Sequence, residues 1–449
     1  MVAGAGRAIP RIVVAGTASG VGKTTVATGL MAALAARGLD VAGFKVGPDF
    51  IDPSYHALAT GRPPRNLDAF LCGPDLIAPL FTHGAAGADV AVIEGVMGLF
   101  DGTAAGGELA STAHVAKLLG APVVLVVDAS AMARSAAAMV HGYATFDPAL
   151  RVAGVVCNRV GSSRHAEILR EALAPLGIPL LGALSHDPAL SSPSRHLGLV
   201  PVAERPAEAR RAVADLGGRL SAQLDLDAVL ALARAAPRLR GAAWAPPPGP
   251  ALSSPRRVAV AGGPAFSFVY TENLELLTAA GAEIAPLDPT KDEALPGGTK
   301  ALYLGGGFPE AHAGALSANA RLRAAVAAFG GPVLAECGGL LYLCRDLDGL
   351  PMCGALGARA AMTGRLALGY REAEAASRSA LWDRGERVRG HEFHYSAVTP
   401  EAGSGAGAAP AWRLPRTEGF VTGRIHASYL HTHWAATPQV ARRLLEAAA

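Results

Sequence analysis

Residues 16–25 read GTASGVGKTT and have the composition of a phosphate-binding loop. The strand-like run RIVVAG precedes them, and an alanine- and leucine-rich helical pattern follows. Backbone N–H groups of a glycine-rich turn, together with a helix N-terminus, form an anion site. In such a loop Lys23 would neutralise phosphate charge and the Thr24 hydroxyl would bind Mg²⁺. The loop departs from the usual pattern in one place, because Thr17 stands where the first glycine is expected and a glycine precedes it.

Two carboxylates are candidates to complete a magnesium site. Glu94 ends the strand-like run DVAVIE, and Asp68 lies in the loop RNLDAF. Mg²⁺ prefers oxygen ligands and usually takes one or two carboxylates, and strand ends at the carboxyl edge of a parallel sheet present such ligands. The alternative for each residue is a solvated or helix-capping carboxylate.

Two further loops are expected at the same edge of the sheet. The segment FKVGPDFIDPSYH (44–56) carries Lys45, Asp49, Asp52 and Tyr55, and GVMGLFDG (95–102) carries Asp101. Both segments follow predicted strands, and long loops at this edge often carry function. On residue types alone, ordinary loop polarity explains them equally well.

Cys337 has the sequence surroundings of a nucleophile. It ends the buried-strand pattern PVLAE and precedes two glycines, Gly338 and Gly339. A sharp strand-to-helix turn exposes a nucleophile, and the following helix N-terminus is expected to lower the pKa of the thiol. A buried, inert cysteine is the alternative.

A cysteine nucleophile also needs a base and donors for an oxyanion. SYLHTHW supplies His431 and His433, which share a face of an extended segment, while GHEFHY supplies His391 and His394 as rivals. The loop GGGFPE (305–310) could provide backbone N–H donors. The same histidines favour a metal site less, because carboxylate or cysteine partners at the usual spacing are missing.

These residues must be positioned by two α/β halves. In the first half, apolar runs alternate with helical patterns, which predicts a parallel sheet covered on both faces. A proline-rich stretch containing APPPGP then predicts a stiff linker at 236–255, after which the α/β alternation restarts. The expected domains are 9–235 and 256–449.

The bulk composition narrows the function further. Among 449 residues, 40 are basic and 37 acidic, so the net charge of +3 argues against nucleic acid as the main partner. Five cysteines without CxxC spacing argue against a disulfide scaffold or a structural zinc site. Neither a signal peptide nor a long apolar run is evident, so we expect no membrane span and a cytoplasmic protein.

The motifs together resemble a known family. GTASGVGKTT, RNLD and IEG resemble the dethiobiotin-synthetase branch of P-loop ATPases, whereas GGGFPE, AECGGL and YLHTHW resemble class I glutamine amidotransferases of the cobyric-acid-synthase type. Combined with KVGPDFIDP, GVMGLFDG, LGYRE and RGHEFHYS, they are similar to the cobyrinic/hydrogenobyrinic acid a,c-diamide synthase family over nearly the whole chain.

The resemblance implies a fold, an activity and a set of site residues. The fold is α/β, with an N-terminal doubly wound, mostly parallel P-loop domain and a C-terminal class I amidotransferase-like domain. The activity is amidation of the a- and c-acetate carboxylates of a corrinoid in cobalamin biosynthesis, with ATP and L-glutamine as co-substrates and Mg²⁺ as cofactor. The implied roles are nucleotide binding by Gly20, Gly22, Lys23, Thr24, Thr25 and Asn158; Mg²⁺ binding by Thr24, Asp68 and Glu94; substrate binding by Lys45, Asp49 and Asp101; and catalysis by Cys337 and His431.

Several points stay open on the sequence alone. Most class I amidotransferases have His-x-Glu, but His433 stands where that Glu is expected, so the third triad member is absent or altered. His431 would then work as half of a Cys–His dyad, with its orientation fixed by another group. Cobyric acid synthase and nickel-sirohydrochlorin a,c-diamide synthase are neighbouring alternatives, and a ParA/MinD-like ATPase switch is one of a different class. The alanine-rich composition favours the metal-free corrinoid over the cobalt form, and a homodimer is expected only from the family.

Overall fold

The computed structural model describes residues 8–103, 107–185, 194–195, 198–249, 255–404 and 407–448. The chain forms two compact units, Met1–Ala245 and Pro246–Ala449. The boundary between them falls inside the predicted linker, of which residues 250–254 lie outside the described ranges. None of the helices in these ranges is both long and apolar enough to cross a membrane.

The first unit is built on a seven-stranded sheet with the order β3-β2-β4-β1-β5-β6-β7, in which every neighbouring pair is parallel. Its strands are β1 (Arg11–Gly16), β2 (Val41–Val46), β3 (Asn66–Leu67), β4 (Val90–Glu94), β5 (Val123–Asp128), β6 (Val152–Val160) and β7 (Leu180–Ser185), and a separate short hairpin contains β8 (Ser194–Arg195) and β9 (Gly198–Leu199). Its helices are α1 (Lys23–Ala36), α2 (Asp52–Thr60), α3 (Pro74–Gly84), α4 (Thr112–Leu119), α5 (Ser135–Thr145), α6 (Ser163–Leu173), α7 (Pro206–Gln223) and α8 (Leu226–Arg234).

The near-continuous apolar strands of this unit are buried, as expected for a sheet with helices on both faces. Every residue of β1, β2 and β4 is buried, which matches strands with helices packed over both faces. The central strand β1 lies between β4 and β5. The loop after β1 therefore emerges at the carboxyl edge beside the end of β4, where Glu94 lies. The predicted parallel α/β fold is confirmed.

The first part of the predicted linker packs onto the first unit. Leu239 and Trp244 are buried, and Trp244 N donates to Pro79 O of α3 at 2.9 Å. The Arg11 guanidinium, itself buried at the start of β1, donates to Pro237 O at 2.7 Å. Residues 236–245 therefore belong structurally to this unit although they form no helix or strand.

The second unit contains two sheets. A six-stranded sheet has the order β11-β10-β12-β13-β21-β20 and is parallel except for the β20–β21 pair. A second sheet, with the order β15-β14-β16-β17-β22, is mainly antiparallel and is dominated by the long β16–β17 hairpin. The strands are β10 (Arg256–Ala261), β11 (Ala282–Leu287), β12 (Thr299–Leu304), β13 (Val333–Glu336), β14 (Asp346–Leu347), β15 (Leu350–Pro351), β16 (Arg359–Ala375), β17 (Arg387–Thr399), β18 (Trp412–Arg413), β19 (Thr417–Glu418), β20 (Phe420–Val421), β21 (Ile425–Ser428) and β22 (His431–Thr432).

The helices of the second unit are α9 (Thr271–Ala279), α10 (Ala313–Ala318), α11 (Ala320–Ala328), α12 (Gly338–Leu343) and α13 (Gln439–Ala447). Helix α12 begins directly after β13, so the CGG turn joins the two elements. The parallel sheet places the ends of β12, β13 and β21 side by side, because β13 pairs with both neighbours. This edge carries the GGGFPE loop, Cys337 and the segment leading to His431.

Candidate active sites

The phosphate loop of the first unit is braced by a residue from β6. Asn158 Nδ2 donates to Val21 O at 2.9 Å, and a Cβ on Gly22 would lie 2.2 Å from that nitrogen. Gly20 and Gly22 have φ values of 78° and 101°, which L side chains rarely adopt. Lys23 Nζ donates to Ala18 O at 2.8 Å across the loop. The phosphate loop after β1 and Asn158 of β6, both predicted to bind nucleotide, are thus brought together.

Glu94 is the centre of a buried polar cluster at the end of β4. Its Oε1 accepts from Thr24 Oγ1 at 2.5 Å and from Lys45 Nζ at 2.9 Å, while His56 Nε2 donates to Oε2 at 2.6 Å. Burial alone would raise the pKa of Glu94, but Lys45 and the His56 hydrogen bond outweigh it and hold that pKa well below its ordinary value. Glu94 is therefore a carboxylate at neutral pH.

Asp52, a loop residue to which the sequence assigns no role, lies in the same cluster. Its Oδ2 accepts from Lys45 Nζ at 2.7 Å and from Thr24 Oγ1 at 3.2 Å. Asp49 holds this arrangement, because its Oδ1 accepts from the N–H groups of Ile51 and Asp52 at the start of α2. The carboxylates of Asp52 and Glu94 outweigh the desolvation of Lys45 and raise its pKa, so its ammonium stays charged.

His56 is a member of the cluster that sequence reasoning missed. It lies on α2 four residues after Asp52, so both side chains share a helix face, and that spacing was the available signal.

Asp68 and Asp101 lie at the same edge of the sheet and shape its loops. Asp68 Oδ1 accepts from the N–H groups of Phe70 and Leu71, both at 2.9 Å, directly after β3. The strand β2 separates β3 from β4, so Asp68 and Glu94 end non-neighbouring strands. Asp101 Oδ2 accepts from Gly98 N at 2.8 Å within the GVMGLFDG loop. The magnesium and substrate roles of these two residues remain predictions.

The donor set of the cluster suits a hard divalent cation. Within the described ranges, no group of three or more His, Cys, Asp or Glu side chains is arranged as a complete metal site. Oxygens of Thr24, Glu94 and Asp52 nevertheless converge beside the phosphate loop. Mg²⁺ commonly takes few protein oxygens and completes its octahedron with phosphate oxygens and water, so the residues present fit such an ion.

Cys337 occupies a strained turn in the second unit. Its φ of 48° and ψ of −101° are unusual for a residue other than glycine, and its N–H donates to Ser428 O at 2.7 Å. The side chain is buried, and burial raises the pKa of the thiol; the Glu310 carboxylate acts in the same direction, whereas the Gly338 N–H opposes both. The predicted lowering of this pKa is wrong, because desolvation outweighs the short helix α12.

The GGGFPE loop packs against the cysteine turn, as an oxyanion site requires. Gly339 N donates to Gly305 O at 3.0 Å, and a Cβ on Gly338 would lie 3.1 Å from Gly307 N. The same built atom would lie 3.4 Å from Gly306 C. The backbones of the glycine loop and of the cysteine turn are thus in close contact, and side chains larger than hydrogen would separate them.

His431 converges on this loop. A Cβ on Gly306 would lie 2.3 Å from its Cε1, so the ring rests against the glycine backbone. The His431 ring also stacks on His391, with centroids 4.8 Å apart and planes 9° apart. Burial lowers the pKa of His431 to about 3, so its imidazole is neutral.

The other candidate histidines have different surroundings. His394 stacks on Tyr429 with ring centroids 3.6 Å apart, and its Nδ1 lies 2.9 Å from Ser396 O. His433 Nε2 lies 3.5 Å from Glu272 Oε2. Among the four histidines, the ring of His431 is the one that the structure places against the Gly306 backbone. Its role as base remains a prediction that this placement supports.

Glu336 links the two predicted catalytic strands and was missed by sequence reasoning. Its Oε1 accepts from Thr432 N at 3.0 Å and from Thr432 Oγ1 at 2.9 Å, and Tyr303 OH donates to Oε2 at 2.8 Å. Burial raises the pKa of Glu336 to about 7. The residue before Cys337 therefore holds the residue after His431.

Comparisons with known proteins match both halves of the chain. Residues 12–200 match the CobQ/CobB/MinD/ParA nucleotide binding domain, and residues 257–439 match the CobB/CobQ-like glutamine amidotransferase domain. The chain is 58% identical to hydrogenobyrinate a,c-diamide synthase of Streptomyces coelicolor, with 98% of each chain covered. It is 54% identical to the enzyme of that name from Thermobifida fusca, with 98% of this chain and 97% of the relative covered.

A relative with a different printed substrate is also similar. The chain is 44% identical to cobyrinate a,c-diamide synthase of Syntrophotalea carbinolica, with 97% of this chain and 98% of the relative covered. Similarity at this level over nearly the full length of each chain establishes common membership. The chain therefore belongs to the cobyrinate/hydrogenobyrinate a,c-diamide synthase family.

Proposed function

We propose that this protein uses ATP and glutamine to convert the a- and c-acetate carboxylates of hydrogenobyrinic acid to primary amides in cobalamin biosynthesis. The observation that carries the proposal is that one chain contains both a phosphate loop with the Thr24–Glu94 pair and a strained cysteine beside the glycine loop that contacts His431. Relatives named hydrogenobyrinate a,c-diamide synthase are 51% to 58% identical to it.

The choice between the two corrinoids also rests on the relatives. Those named cobyrinate a,c-diamide synthase are 43% to 46% identical to this chain. Hydrogenobyrinic acid is accordingly proposed as the preferred substrate, and cobyrinic acid as the alternative.

In the first unit a carboxylate must be activated before it can become an amide. A substrate carboxylate oxygen attacks the γ-phosphorus of ATP, the bond from that phosphorus to the bridging oxygen breaks, and ADP leaves an acyl phosphate behind. The protein supplies position and positive charge for this transfer. The residues proposed to hold the nucleotide are Gly20, Gly22, Lys23, Thr24, Thr25 and Asn158.

Magnesium is proposed as the cofactor of this site, held by Thr24, Asp68 and Glu94. When bound, it would neutralise charge on the phosphate oxygens. Lys45, Asp49 and Asp101 are proposed to orient the carboxylate substrate. The Lys45 ammonium is suited to this role because the surrounding carboxylates keep it charged.

In the second unit ammonia must be released from glutamine. His431 takes the proton of the Cys337 thiol, and the sulfur attacks the side-chain amide carbon. N–H groups of the glycine loop and of the CGG turn stabilise the oxyanion. The proton passes to the departing nitrogen as the C–N bond breaks, and water then hydrolyses the thioester to glutamate. The ammonia attacks the acyl phosphate, phosphate leaves, and a proton is lost from nitrogen.

Replacing the nucleophile tests whether Cys337 is needed only for glutamine hydrolysis. We expect Cys337→Ser to abolish amide formation with glutamine and to retain it with an ammonium salt, because a serine hydroxyl is a far poorer nucleophile than the thiol. Amide formation is followed with both nitrogen donors for the wild type and the variant. If the variant is equally inactive with both donors, Cys337 is not confined to glutamine hydrolysis.

Mass spectrometry identifies the acceptor. Hydrogenobyrinic and cobyrinic acids are incubated separately with enzyme, ATP, Mg²⁺ and glutamine. Two successive replacements of hydroxyl by amino, faster on hydrogenobyrinic acid, are the expected result. Consumption of ATP and glutamine without either product would refute the substrate and leave cobyric acid or nickel-sirohydrochlorin chemistry to be tested. ATP turnover that responds to DNA or membrane instead would favour the ATPase switch.

A further inference from the structure

The base of a cysteine nucleophile works only when its ring is held in one orientation. In a triad, a carboxylate hydrogen-bonded to the imidazole performs this task. Here the position two residues after His431 is His433, which lies 3.5 Å from Glu272. The structure shows a different kind of contact on the face of the His431 ring.

His391 lies directly opposite His431 in the antiparallel β17–β22 pair. Directly opposed side chains in such a pair lie on the same face of the sheet and interact closely. The two imidazoles use this position to stack almost parallel, with centroids 4.8 Å apart and planes 9° apart. Both side chains are buried, at 3% and 2% exposure. The Gly306 backbone limits the His431 ring at Cε1 as well.

The stacking ring is itself fixed by a neighbouring element. Tyr270 OH lies 3.0 Å from His391 Nε2, and the two rings are nearly perpendicular. The Tyr270 ring also packs on His433, with centroids 4.6 Å apart. A continuous set of contacts thus runs from Glu272 through His433 and Tyr270 to His391.

We propose that His391 is a positioning residue for the glutaminase base, and that its ring face sets the plane of His431. The inference rests on the proposed function of Cys337 and His431. His391 takes no proton from the substrate; it limits rotation of the imidazole that does. Near-parallel stacking engages the face of the His431 ring and not its edge, where the nitrogens lie.

Two substitutions separate the effect of the His391 ring from that of its hydrogen bond with Tyr270. His391→Phe keeps an aromatic face but loses the partner of Tyr270, whereas His391→Gln keeps an acceptor for Tyr270 and loses the ring. A base misplaced by about an ångström can cost about a hundredfold in rate. We therefore expect His391→Gln to lower kcat for glutamate release by about 10- to 100-fold, with KM for glutamine within about twofold. His391→Phe is expected to stay within about threefold of the wild type.

The control is His426→Leu, which removes another buried imidazole of the same unit, on β21, that packs on Trp412. It is expected to lower the unfolding temperature without changing kcat for glutamate release. Amide formation from an ammonium salt is measured in every variant and should match the wild type. Should the glutamine variant fail to fold, His391→Met supplies the same comparison, since methionine is apolar and lacks a ring.

Three results would overturn the inference. The first is a wild-type kcat for glutamate release in His391→Gln. The second is an equal loss of kcat in the Phe and Gln variants, and the third is a greater loss of kcat in His391→Phe than in His391→Gln. Failure of the proposed function is recognised separately, because wild-type enzyme would then release no glutamate through Cys337.

Discussion

Gly22 shows how one residue couples the phosphate loop to a distant strand. Its φ of 101° and the 2.2 Å approach that a Cβ would make to Asn158 Nδ2 both require glycine. Asn158 in turn donates to Val21 O, so it braces the turn that would receive phosphate. Asn158, for which nucleotide binding is predicted, therefore also supports the phosphate loop itself.

We expect Gly22→Ala to weaken ATP binding by at least about tenfold, because the methyl group displaces Asn158 and distorts the loop. Gly38→Ala is the matched control, since Gly38 has a φ of 83° but open space around a built Cβ. That variant should lose about 1 kcal/mol of stability from backbone strain and keep its ATP affinity. Titration calorimetry compares the two, and equal affinities would contradict the role of Asn158.

Glu418 makes stability depend on pH. It is buried and accepts a hydrogen bond from Ser428 Oγ, and the Ser428 carbonyl accepts from Cys337 N. Burial raises the pKa of Glu418 from 4.5 to about 8. Between these values the folded state binds more protons than the unfolded state, so stability falls as pH rises, by up to about 1.4 kcal/mol per pH unit.

Glu418→Gln removes this titrating group, so the stability of the variant should fall less as pH rises. We expect the unfolding temperature of the wild type to fall more steeply than that of the variant between about pH 4.5 and pH 8. Thermal unfolding followed by circular dichroism across that window provides the measurement. Parallel profiles would show that Glu418 is not protonated in the folded protein.

At the scale of elements, the features that could be predicted from the sequence are those that a local residue pattern specifies. The strands β1 and β13 are buried throughout and a glycine-containing turn follows each, so local pattern alone was enough to place the phosphate loop and Cys337 after strand ends. The β16–β17 hairpin was not predicted, and its pairing register is interrupted between Met362 and Ala367. The contacts of Glu336 with Thr432 and of His391 with His431 join residues far apart in sequence, so local pattern could not predict them either.

The linker is a second case in which local composition was insufficient. Residues 236–249 form no helix or strand, but Trp244 is buried against α3, and its ring lies 5.0 Å from that of His83. We expect Trp244→Ala to lower the free energy of unfolding of the first unit by about 3 kcal/mol through lost burial. Phe146→Ala, at a side chain that is 73% exposed, should cost less than about 1 kcal/mol. Urea unfolding compares them, and equal losses would contradict packing of this segment.

At the scale of the whole molecule, each described polar network lies within one compact unit. The Thr24–Glu94 cluster belongs to the first unit and the Glu336–Thr432 bridge to the second. A defect in one site should therefore leave the other chemistry measurable.

We expect Lys23→Ala to lower ammonium-supported amide formation by at least about a hundredfold, since phosphate charge loses its neutralising partner. Glutamate release from glutamine should persist in the same variant. Both products are measured in one reaction series with wild type and Cys337→Ser as references. Loss of glutamate release in Lys23→Ala would show that the two chemistries cannot be separated.

The burial of the cysteines has a practical consequence for studying this protein in solution. All five are free and buried, and burial raises the pKa of Cys157, Cys344 and Cys353 to about 12. Electrophilic reagents will therefore react slowly with these three thiols. A cysteine introduced on the surface of each unit would be labelled by fluorophores without removing these three natural cysteines. Energy transfer between the two dyes could then follow the distance between the units during turnover.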